Sequence, residues 1–365
     1  MFILGAKVKN GKIELMRFVF CIIVMLFHIS ERTIGESYEI FSKVTFFGNG
    51  YFGVEFFFVL SGCLMAASAY KKQSQVSPLG KDTFGFMKGK LLAILPWHII
   101  VFIIAFVYTA VSKFDTLSNL FVRVLNVIPN FLLIQRSGLY GKDVLGVEWY
   151  ISDMLIAMII LYPLCRRYYE RFTRIAAPVT AVLIVGYLMK TTGSINGSTA
   201  WSVIVSKTLL RAIAELCAGA FVFEVSRNIK KLNFTRLDKV LLTAFEFVSY
   251  AAVIGFTTLN ISDKYAGTFI IFVCTGICLS FSGITYGSKF FNNRMFVFLG
   301  SLSLPLYLCH SVTRRIVAPM YGEYSFLFVT VVFMVSSFAM VFILMPLEKV
   351  LRRAINNKIH KLITH

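Results

Sequence analysis

Charged residues are scarce in this sequence, since Asp, Glu, Lys and Arg make up only 15% of its 365 residues, against about a quarter in a soluble domain. Low-complexity stretches and internal repeats are also missing. A disordered chain needs high charge and low hydrophobicity to stay unfolded, so the composition excludes one. It also argues against an ordinary cytosolic enzyme.

The motifs of several large enzyme classes are absent as well. The sequence has no GxSxG elbow, no HExxH, no phosphate-binding P-loop and no dinucleotide-binding glycine pattern. Its seven cysteines form no CxxC pair and lie in or beside apolar runs. This argues against a disulfide framework and against zinc. We therefore expect no metal site and no permanently bound cofactor.

Long apolar runs are what the sequence has instead. Hydrophobic residues make up 57% of it, and a helix needs about 20 mainly apolar residues to cross a bilayer. The sequence thus predicts an all-α, polytopic integral membrane protein with about ten transmembrane helices. They lie roughly at 13–30, 51–70, 91–111, 148–165, 174–190, 201–225, 238–259, 266–285, 296–312 and 325–347. Polar residues interrupt the apolar stretch 118–135, which we interpret as interfacial or re-entrant.

Basic residues outnumber acidic ones by 37 to 18, a net charge of +19. With the N-terminus in the cytoplasm and ten alternating spans, 24 basic residues fall in cytoplasmic segments and 10 in outer loops. This bias follows the positive-inside rule, so it predicts cytoplasmic N- and C-termini and accounts for the charge without nucleic acid. We expect one membrane-embedded domain over 1–347, whose first helix is retained, and a short basic cytoplasmic tail over 348–365.

Arg17 and His28 lie eleven residues apart in the first predicted span. At 100° per residue they share one face of a helix, and they are separated by about 16 Å along it. Arg17 suits an anionic group such as a phosphate, whereas His28 suits proton transfer near neutral pH. Glu14, three residues before Arg17, could orient the guanidinium. One helix face could therefore hold a phosphorylated donor at its inner end and perform chemistry at its outer end.

Ionisable residues inside spans are costly and are functional candidates by default. Those near the predicted outer ends are His28, Glu55, Asp153 and His310. Structural interpretations stay open beside the functional ones. Glu14 and Arg17 could be interfacial charges, and His28 could extend to the lipid headgroups. Lys88 and Lys90, just before the third span, could be topology signals alone.

Arg211 and Glu215 lie four residues apart in the sixth predicted span. This spacing places both on one helix face, and it favours a buried structural ion pair over a site. Glu246 could bond to a neighbouring helix in the same way.

Five stretches of the sequence combine charged or small residues with apolar runs. They are IELMRFVFCIIVMLFH (13–28), GYFGVEFFFVLSGCLMA (50–66), KGKLLAILPWH (88–98), WYISDMLIAMIILYPL (149–164) and LGSLSLPLYLCHS (299–311). These stretches resemble motifs of the integral-membrane acyltransferase-3 family, bacterial O-acyltransferases that modify surface glycans and related acceptors. They occur in the family's order, although 175–290 adds only hydrophobicity and length.

The third motif departs from the family pattern. Ala93 stands where the family commonly has an arginine three residues before the proline, and Gly89 separates Lys88 from Lys90. Some members also carry a fused extracytoplasmic hydrolase-like domain, for which the tail of this chain is too short.

The resemblance implies an acyltransferase that uses cytoplasmic acyl-coenzyme A, usually acetyl-coenzyme A, as donor substrate. It implies a membrane-bound O-acyltransferase whose acceptor is a hydroxyl of a cell-surface or lipid-linked carbohydrate. The expected location is the bacterial plasma membrane, with the lipid bilayer, acyl-coenzyme A and a carbohydrate or glycolipid as partners.

The resemblance also implies roles for individual residues. Donor phosphates would be held by Arg17, oriented by Glu14, together with Lys88 and Lys90. His28 would be the general base or a transient acyl carrier, oriented by Glu55 or Asp153. The candidates for lining the same cavity are Ser61, Ser303, Tyr307 and His310.

Other functions would also need many spans and buried charges. A polytopic transporter or flippase for glycans or lipids would move substrate without consuming acyl-coenzyme A. A structural subunit of a polysaccharide export complex would tolerate the loss of His28. A membrane sensor would bind a ligand without turnover.

Overall fold

The computed structural model describes residues 10–34, 46–112, 116–139, 141, 143–196, 201–202, 205–259 and 261–364. Residues 1–9, which we expect in the cytoplasm, lie outside the described residues. The long helices are α1 (Gly11–Ile34), α2 (Gly53–Lys71), α3 (Leu79–Ser112), α4 (Leu117–Phe131), α5 (Trp149–Arg167), α7 (Ala177–Thr192), α8 (Lys207–Ile229), α9 (Arg236–Thr258), α10 (Ala266–Ser282), α13 (Ser303–Val317) and α14 (Phe326–Thr364).

Shorter elements join these helices. The short helix α6 (Tyr169–Arg171) continues through a π-helical turn (Phe172–Ala176) into α7. The other short pieces are a two-stranded antiparallel hairpin of β1 (Trp201–Ser202) and β2 (Val205–Ser206), the helices α11 (Ser288–Phe291) and α12 (Arg294–Ser301), and 3₁₀ turns at Gly50–Phe52, Gln135–Ser137, Asp263–Tyr265 and Ala318–Met320.

In the described part of the chain, nine helical segments are long and apolar enough to cross a membrane. They match nine of the predicted spans, so the protein is an all-α, multi-pass membrane protein. The remaining predicted span, 201–225, corresponds to α8, which begins only at Lys207 because Trp201–Ser202 pairs with Val205–Ser206 ahead of it.

The helix α8 runs antiparallel to α7 along its whole length. Lys207 Nζ donates to the carbonyl oxygen of Asn196, just past the end of α7, over 2.6 Å. At the other end, Arg174, which precedes α7, donates to Glu224 over 3.0 Å. Because α8 is about 34 Å long, it is long enough for a hydrocarbon core of about 30 Å. It is therefore a tenth crossing, and its charged residues Lys207, Arg211 and Glu215 are buried. We call the side on which α1 begins the inner side and the opposite side the outer side.

Glycines let α2 and α8 touch backbone to backbone. A Cβ atom at Gly62 would overlap the carbonyl of Leu216, and one at Gly219 would overlap the carbonyl of Val59. Small residues at such crossings let membrane helices pack closely. This crossing brings the charged residues of α8 into the centre of the bundle.

Two helices are much longer than the bilayer is thick. α3 has 34 residues and α14 has 39, which makes them about 51 Å and 58 Å long. The predicted tail 348–365 continues α14 as helix to Thr364. The helix does not end at Pro346. On the inner side, both helices extend beyond the hydrocarbon region.

The predicted ninth span, 296–312, is two helices and not one. α12 ends at Ser301 and α13 begins at Ser303, with Leu302 between them. Pro305 then lies in the first turn of α13, where its missing N–H costs nothing. The break sets the position of α13, which carries the predicted site residues Ser303, Tyr307 and His310.

Candidate active site

Two histidines lie face to face near the outer side. The rings of His28 on α1 and His310 on α13 have centroids 5.2 Å apart and planes inclined by 27°. One turn after His310, Arg314 places Nη1 at 3.5 Å from Nδ1 of His28. His310 is fully buried, and its Nδ1 lies 3.2 Å from the carbonyl oxygen of Leu306. The structure thus brings together two predicted site residues and adds a guanidinium to them.

The segment 144–147, just before α5, is held along α13 by three side chains. Tyr307 Oη donates to the carbonyl oxygen of Val147 over 2.6 Å. Ser311 and Arg315 donate to the carbonyl oxygens two and three residues earlier. These donors are spaced four residues apart and share one helix face. The segment and the histidine-bearing helix are therefore fastened together.

The first turn of α13 is fixed against α1. Ser303 is buried, and its Oγ donates to the carbonyl oxygen of Gly300 over 2.9 Å. Its own carbonyl oxygen accepts from Cys21 Sγ over 3.2 Å. Ser303 thus contributes to the position of α13, and its backbone is what contacts α1.

The predicted donor-binding residues gather at the inner side. Arg17 Nη1 lies 2.9 Å from Glu14 Oε2. Only a glycine fits beside that carboxylate, because a Cβ at Gly300 would overlap it. The charge of Arg17 acts on Lys90 of α3, so these two cations are close in space. Lys88 is half-buried and forms no ion pair within the described part of the chain.

Polar side chains connect the inner and outer groups. Ser61 Oγ on α2 lies 3.5 Å from Tyr150 Oη on α5, and the charge of Arg17 acts on that tyrosine. The Tyr150 ring lies 5.9 Å from the Tyr307 ring, which lies 5.7 Å from the ring of His310. Hydroxyl-bearing residues therefore link the basic inner group to the histidines.

Glu55 binds Arg211. The two carboxylate oxygens of Glu55 accept from Nε of Arg211, over 2.9 Å, and from its Nη2. Glu215 Oε1 lies 3.4 Å from the same guanidinium, so the predicted ion pair within α8 is present. Tyr51 and Trp149 lie beside the guanidinium, with ring centroids 5.8 Å and 5.7 Å from its carbon atom.

Asp153 on α5 lies beside this acidic cluster. It is fully buried, and among the described residues neither carboxylate oxygen has a hydrogen-bond partner. The charges of Arg136 and Arg211 act on it, as does the hydroxyl of Thr208, which is nearby but outside hydrogen-bond geometry. The structure thus groups Asp153 with Glu55, and it places both next to Arg211.

Glu148 is a second buried carboxyl on the outer side, one residue before α5. Its side chain is fully buried, and neither oxygen makes a hydrogen bond within the described ranges. Burial, assisted by the nearby Asp143, raises the pKa of the Glu148 carboxyl to about 8, whereas its own backbone N–H, Arg315 and the side chain of Asn130 act in the opposite direction. The group is therefore mostly a neutral carboxylic acid at pH 7.

Arg352 on α14 reaches the motif that lacks an arginine. Its Nη1 and Nη2 donate to the carbonyl oxygens of Leu92 and Ala93 over 3.2 Å and 3.3 Å. Its Nε donates to Glu348 over 2.5 Å. A guanidinium thus lies at Ala93 although the sequence has none there.

The geometry combines a pair of cations on the inner side, a path of polar side chains and a histidine pair on the outer side. The family model for the acyltransferase-3 acyltransferase domain matches residues 10–346. The chain belongs to the acyltransferase-3 family. Acyl transfer is the activity of this family, and the matched range contains every predicted site residue. No curated protein and no solved structure matches the chain.

Four residues at or near this candidate site are not predicted by the sequence: Tyr150, Glu148, Arg314 and Arg352. Tyr150 lies inside the fourth motif, and Arg314 lies one turn after His310, so helical periodicity could have identified both. Glu148 directly precedes the fourth motif. Nothing local marks Arg352, because its contact crosses from the last helix to the third.

Proposed function

We propose that the protein transfers an acyl group, most simply acetyl, from cytoplasmic acyl-coenzyme A to a hydroxyl of a cell-surface or lipid-linked carbohydrate. The observation that carries this proposal is the stacked pair of His28 and His310 beside Arg314. The polar path to Arg17 supports it, because the donor's charged and reactive ends need separate places.

The inner basic group binds the phosphates of the donor. Arg17 offers a planar fork of donors that suits phosphate, and Glu14 holds it in place. Lys90 and Lys88 add positive charge from α3. The thioester end then extends along Ser61 and Tyr150 toward the histidines.

His28 acts as general base in the transfer. It takes the proton of the acceptor hydroxyl while the hydroxyl oxygen attacks the thioester carbonyl carbon. The C–S bond then breaks, and the proton passes to the departing sulfur of coenzyme A. Arg314 is close enough to His28 to stabilise the negative charge that develops on the carbonyl oxygen. Glu55 and Asp153 contribute through Arg211, which they help to hold at the edge of the site.

Removal of the imidazole tests this assignment. Membranes that contain the wild type, His28→Ala or the control His360→Ala are given isotopically labelled acetyl-coenzyme A and cell-envelope glycan. Free coenzyme A and label in the glycan are then measured by mass spectrometry. We expect transfer to fall about 10²- to 10⁴-fold in His28→Ala and to stay unchanged in the control.

Two outcomes would contradict the proposal in different ways. Equal labelling in wild type and His28→Ala, with both proteins inserted, would reject the role of His28. No labelling by the wild type with any of several acyl donors and glycans would favour the transporter or flippase, which consumes no acyl-coenzyme A.

A further inference from the structure

The outer side of the bundle contains a second group of buried polar side chains, apart from the histidines. Glu148 has both carboxyl oxygens without a hydrogen-bond partner in the described residues. Asn130 is the neighbour that acts on this carboxyl as a hydrogen-bonding group, although the pair lies outside hydrogen-bond geometry. Asn130 is fully buried, and its Oδ1 also lacks a partner in the described residues. Its Nδ2 donates to Asp143 over 2.8 Å. These three residues come from α4 and from the segment before α5.

Such an arrangement costs stability if nothing binds to it. A buried polar atom without a hydrogen bond loses its hydration and gains nothing in return. In Glu148 and Asn130 together, three oxygens have this property. Buried polar groups of this kind are a mark of binding sites, where a ligand completes the hydrogen bonds.

This group lies next to the histidine pair. Glu148 follows Val147, whose carbonyl oxygen accepts from Tyr307. The Tyr307 ring lies 5.7 Å from the ring of His310. The segment before α5 is also fastened to α13 by Ser311. The positions of Glu148 and His310 are therefore coupled, as the two halves of one site must be.

The chemistry of the group fits hydroxyls and not phosphates. A neutral carboxylic acid and a carboxamide can each donate and accept, as sugar hydroxyls do. The neighbouring Asp143 adds a negative charge, which repels phosphate. Arg315, whose charge acts on Glu148, is already bound to a backbone carbonyl and to Thr109. The donor's phosphates thus have their place at Arg17, on the inner side.

We propose that Glu148 and Asn130 form the acceptor subsite, in which they bind hydroxyl groups of the carbohydrate next to the one that is acylated. This inference rests on the proposed function and adds the residues that select the acceptor. Glu148 is a binding residue in this scheme, and His28 remains the base.

The test separates binding of the acceptor from binding of the donor. Glu148→Ala, Glu148→Gln and the control Glu323→Ala, an exposed carboxylate of the outer loop before α14, are purified in detergent. Transfer of labelled acetyl from acetyl-coenzyme A to methyl glycosides of glucose, galactose and mannose, and to delipidated cell-envelope glycan, is measured. Hydrolysis of acetyl-coenzyme A without acceptor reports the donor half of the site.

We expect Glu148→Ala to raise KM for the acceptor about 10-fold or more, with KM for acetyl-coenzyme A and the hydrolysis rate unchanged. Glu148→Gln keeps the shape and one donor and one acceptor, so its acceptor KM should stay within about threefold. Glu323→Ala should behave as wild type.

Each other outcome overturns the inference. Unchanged acceptor KM in Glu148→Ala would show that the carboxyl does not touch the acceptor. An equal loss for both substrates that Glu148→Gln does not restore would assign Glu148 a structural role. If the wild type hydrolyses acetyl-coenzyme A but acylates no sugar, the assignment of a carbohydrate as acceptor is rejected. If it does neither, the proposed function is rejected, and the acceptor subsite is rejected with it.

Discussion

Two buried glutamates, Glu224 and Glu148, show how differently this bundle treats its carboxyl groups. Glu224, at the inner end of α8, accepts hydrogen bonds from Arg174, Arg227 and Tyr169. Glu148, at the outer side, accepts none among the described residues. Both side chains are at most 2% exposed, so burial alone does not distinguish them.

The difference in hydrogen-bond partners distinguishes a carboxyl group with a structural role from one with a role in binding. A carboxylate that accepts hydrogen bonds from several guanidinium groups holds neighbouring helices together, and its loss leaves those cations unpaired. Asp82 on α3 has the same structural role, because it forms ion pairs with Lys72 and Arg166 on the inner side. A buried carboxyl without partners stabilises nothing by itself, and so it points to a ligand.

The largest expected effect is on stability, and the same substitution at both sites measures it. Glu224→Gln removes the charge that faces Arg174 and Arg227, and we expect a loss of about 2 kcal/mol. Glu148→Gln should change the free energy of unfolding by less than about 0.5 kcal/mol at pH 4, where the Glu148 carboxyl is mostly protonated in both the folded and the unfolded state. Thermal unfolding in detergent gives both values. Equal losses in the two variants would show that Glu148 stabilises the fold as much as Glu224 does.

A pH series sharpens the comparison further. In the folded protein Glu148 keeps its proton up to a pKa of about 8, whereas in the unfolded chain it ionises near its ordinary pKa of about 4.3. The unfolded state thus gains by ionisation over this interval, and wild-type stability should fall as pH rises from about 5 to 8.

The matched variant for this series is Glu148→Gln, which cannot ionise. As pH rises, the melting temperature of the wild type should fall relative to that of Glu148→Gln. A difference that stays constant from pH 5 to 8 would show that the Glu148 carboxyl does not titrate in this interval.

A third prediction concerns the glycine beside Glu14. In Gly300→Ala the added methyl group would overlap the Glu14 carboxylate, so Arg17 would lose its orientation. We expect KM for acetyl-coenzyme A to rise about 10-fold, with little change in the acceptor KM. Gly255→Ala is the matched control, because its methyl group would enter open space within α9. If KM for acetyl-coenzyme A were normal in Gly300→Ala, Glu14 would have no role in donor binding.

The smallest expected effect belongs to Arg352. We expect Arg352→Ala to raise KM for acetyl-coenzyme A about two- to fivefold, as the loss of one partly exposed cation does. Arg353→Ala changes the next residue, which is exposed, and should leave this KM unaltered. If both variants behave alike, the guanidinium at Ala93 does not take part in donor binding.

Hydropathy predicts most of this fold, because each span is a local run of apolar residues. It predicts ten crossings, and nine of them agree with the structure to within a few residues, except where α3 and α14 extend beyond the predicted inner ends. The predicted start of the sixth span was wrong, because Trp201–Ser202 pairs with Val205–Ser206 ahead of α8. Lys207 and Arg211 lie inside α8 as predicted, and they bind Asn196 and Glu55 from elsewhere in the chain.

The candidate site was predictable where it follows from one helix. The common face of Arg17 and His28 is a matter of helical periodicity. The stacking of His28 on His310, the partner of Glu55 and the contact of Arg352 with Ala93 all join distant parts of the chain. Sequence spacing contains no information on these distances, so the roles of the individual residues remain predictions.

The separation of Arg17 from His28 has an electrical consequence. About 16 Å of helix lies between them, roughly half of a hydrocarbon core of about 30 Å. In the proposed reaction the phosphates stay at the inner end, and only an uncharged acyl group on a neutral arm reaches the outer end. The proton that leaves the hydroxyl ends on the thiol, so no net charge crosses the bilayer. The turnover should therefore be insensitive to membrane voltage, unlike the movement of a gating charge, which changes by about 2.3 kcal/mol per 100 mV.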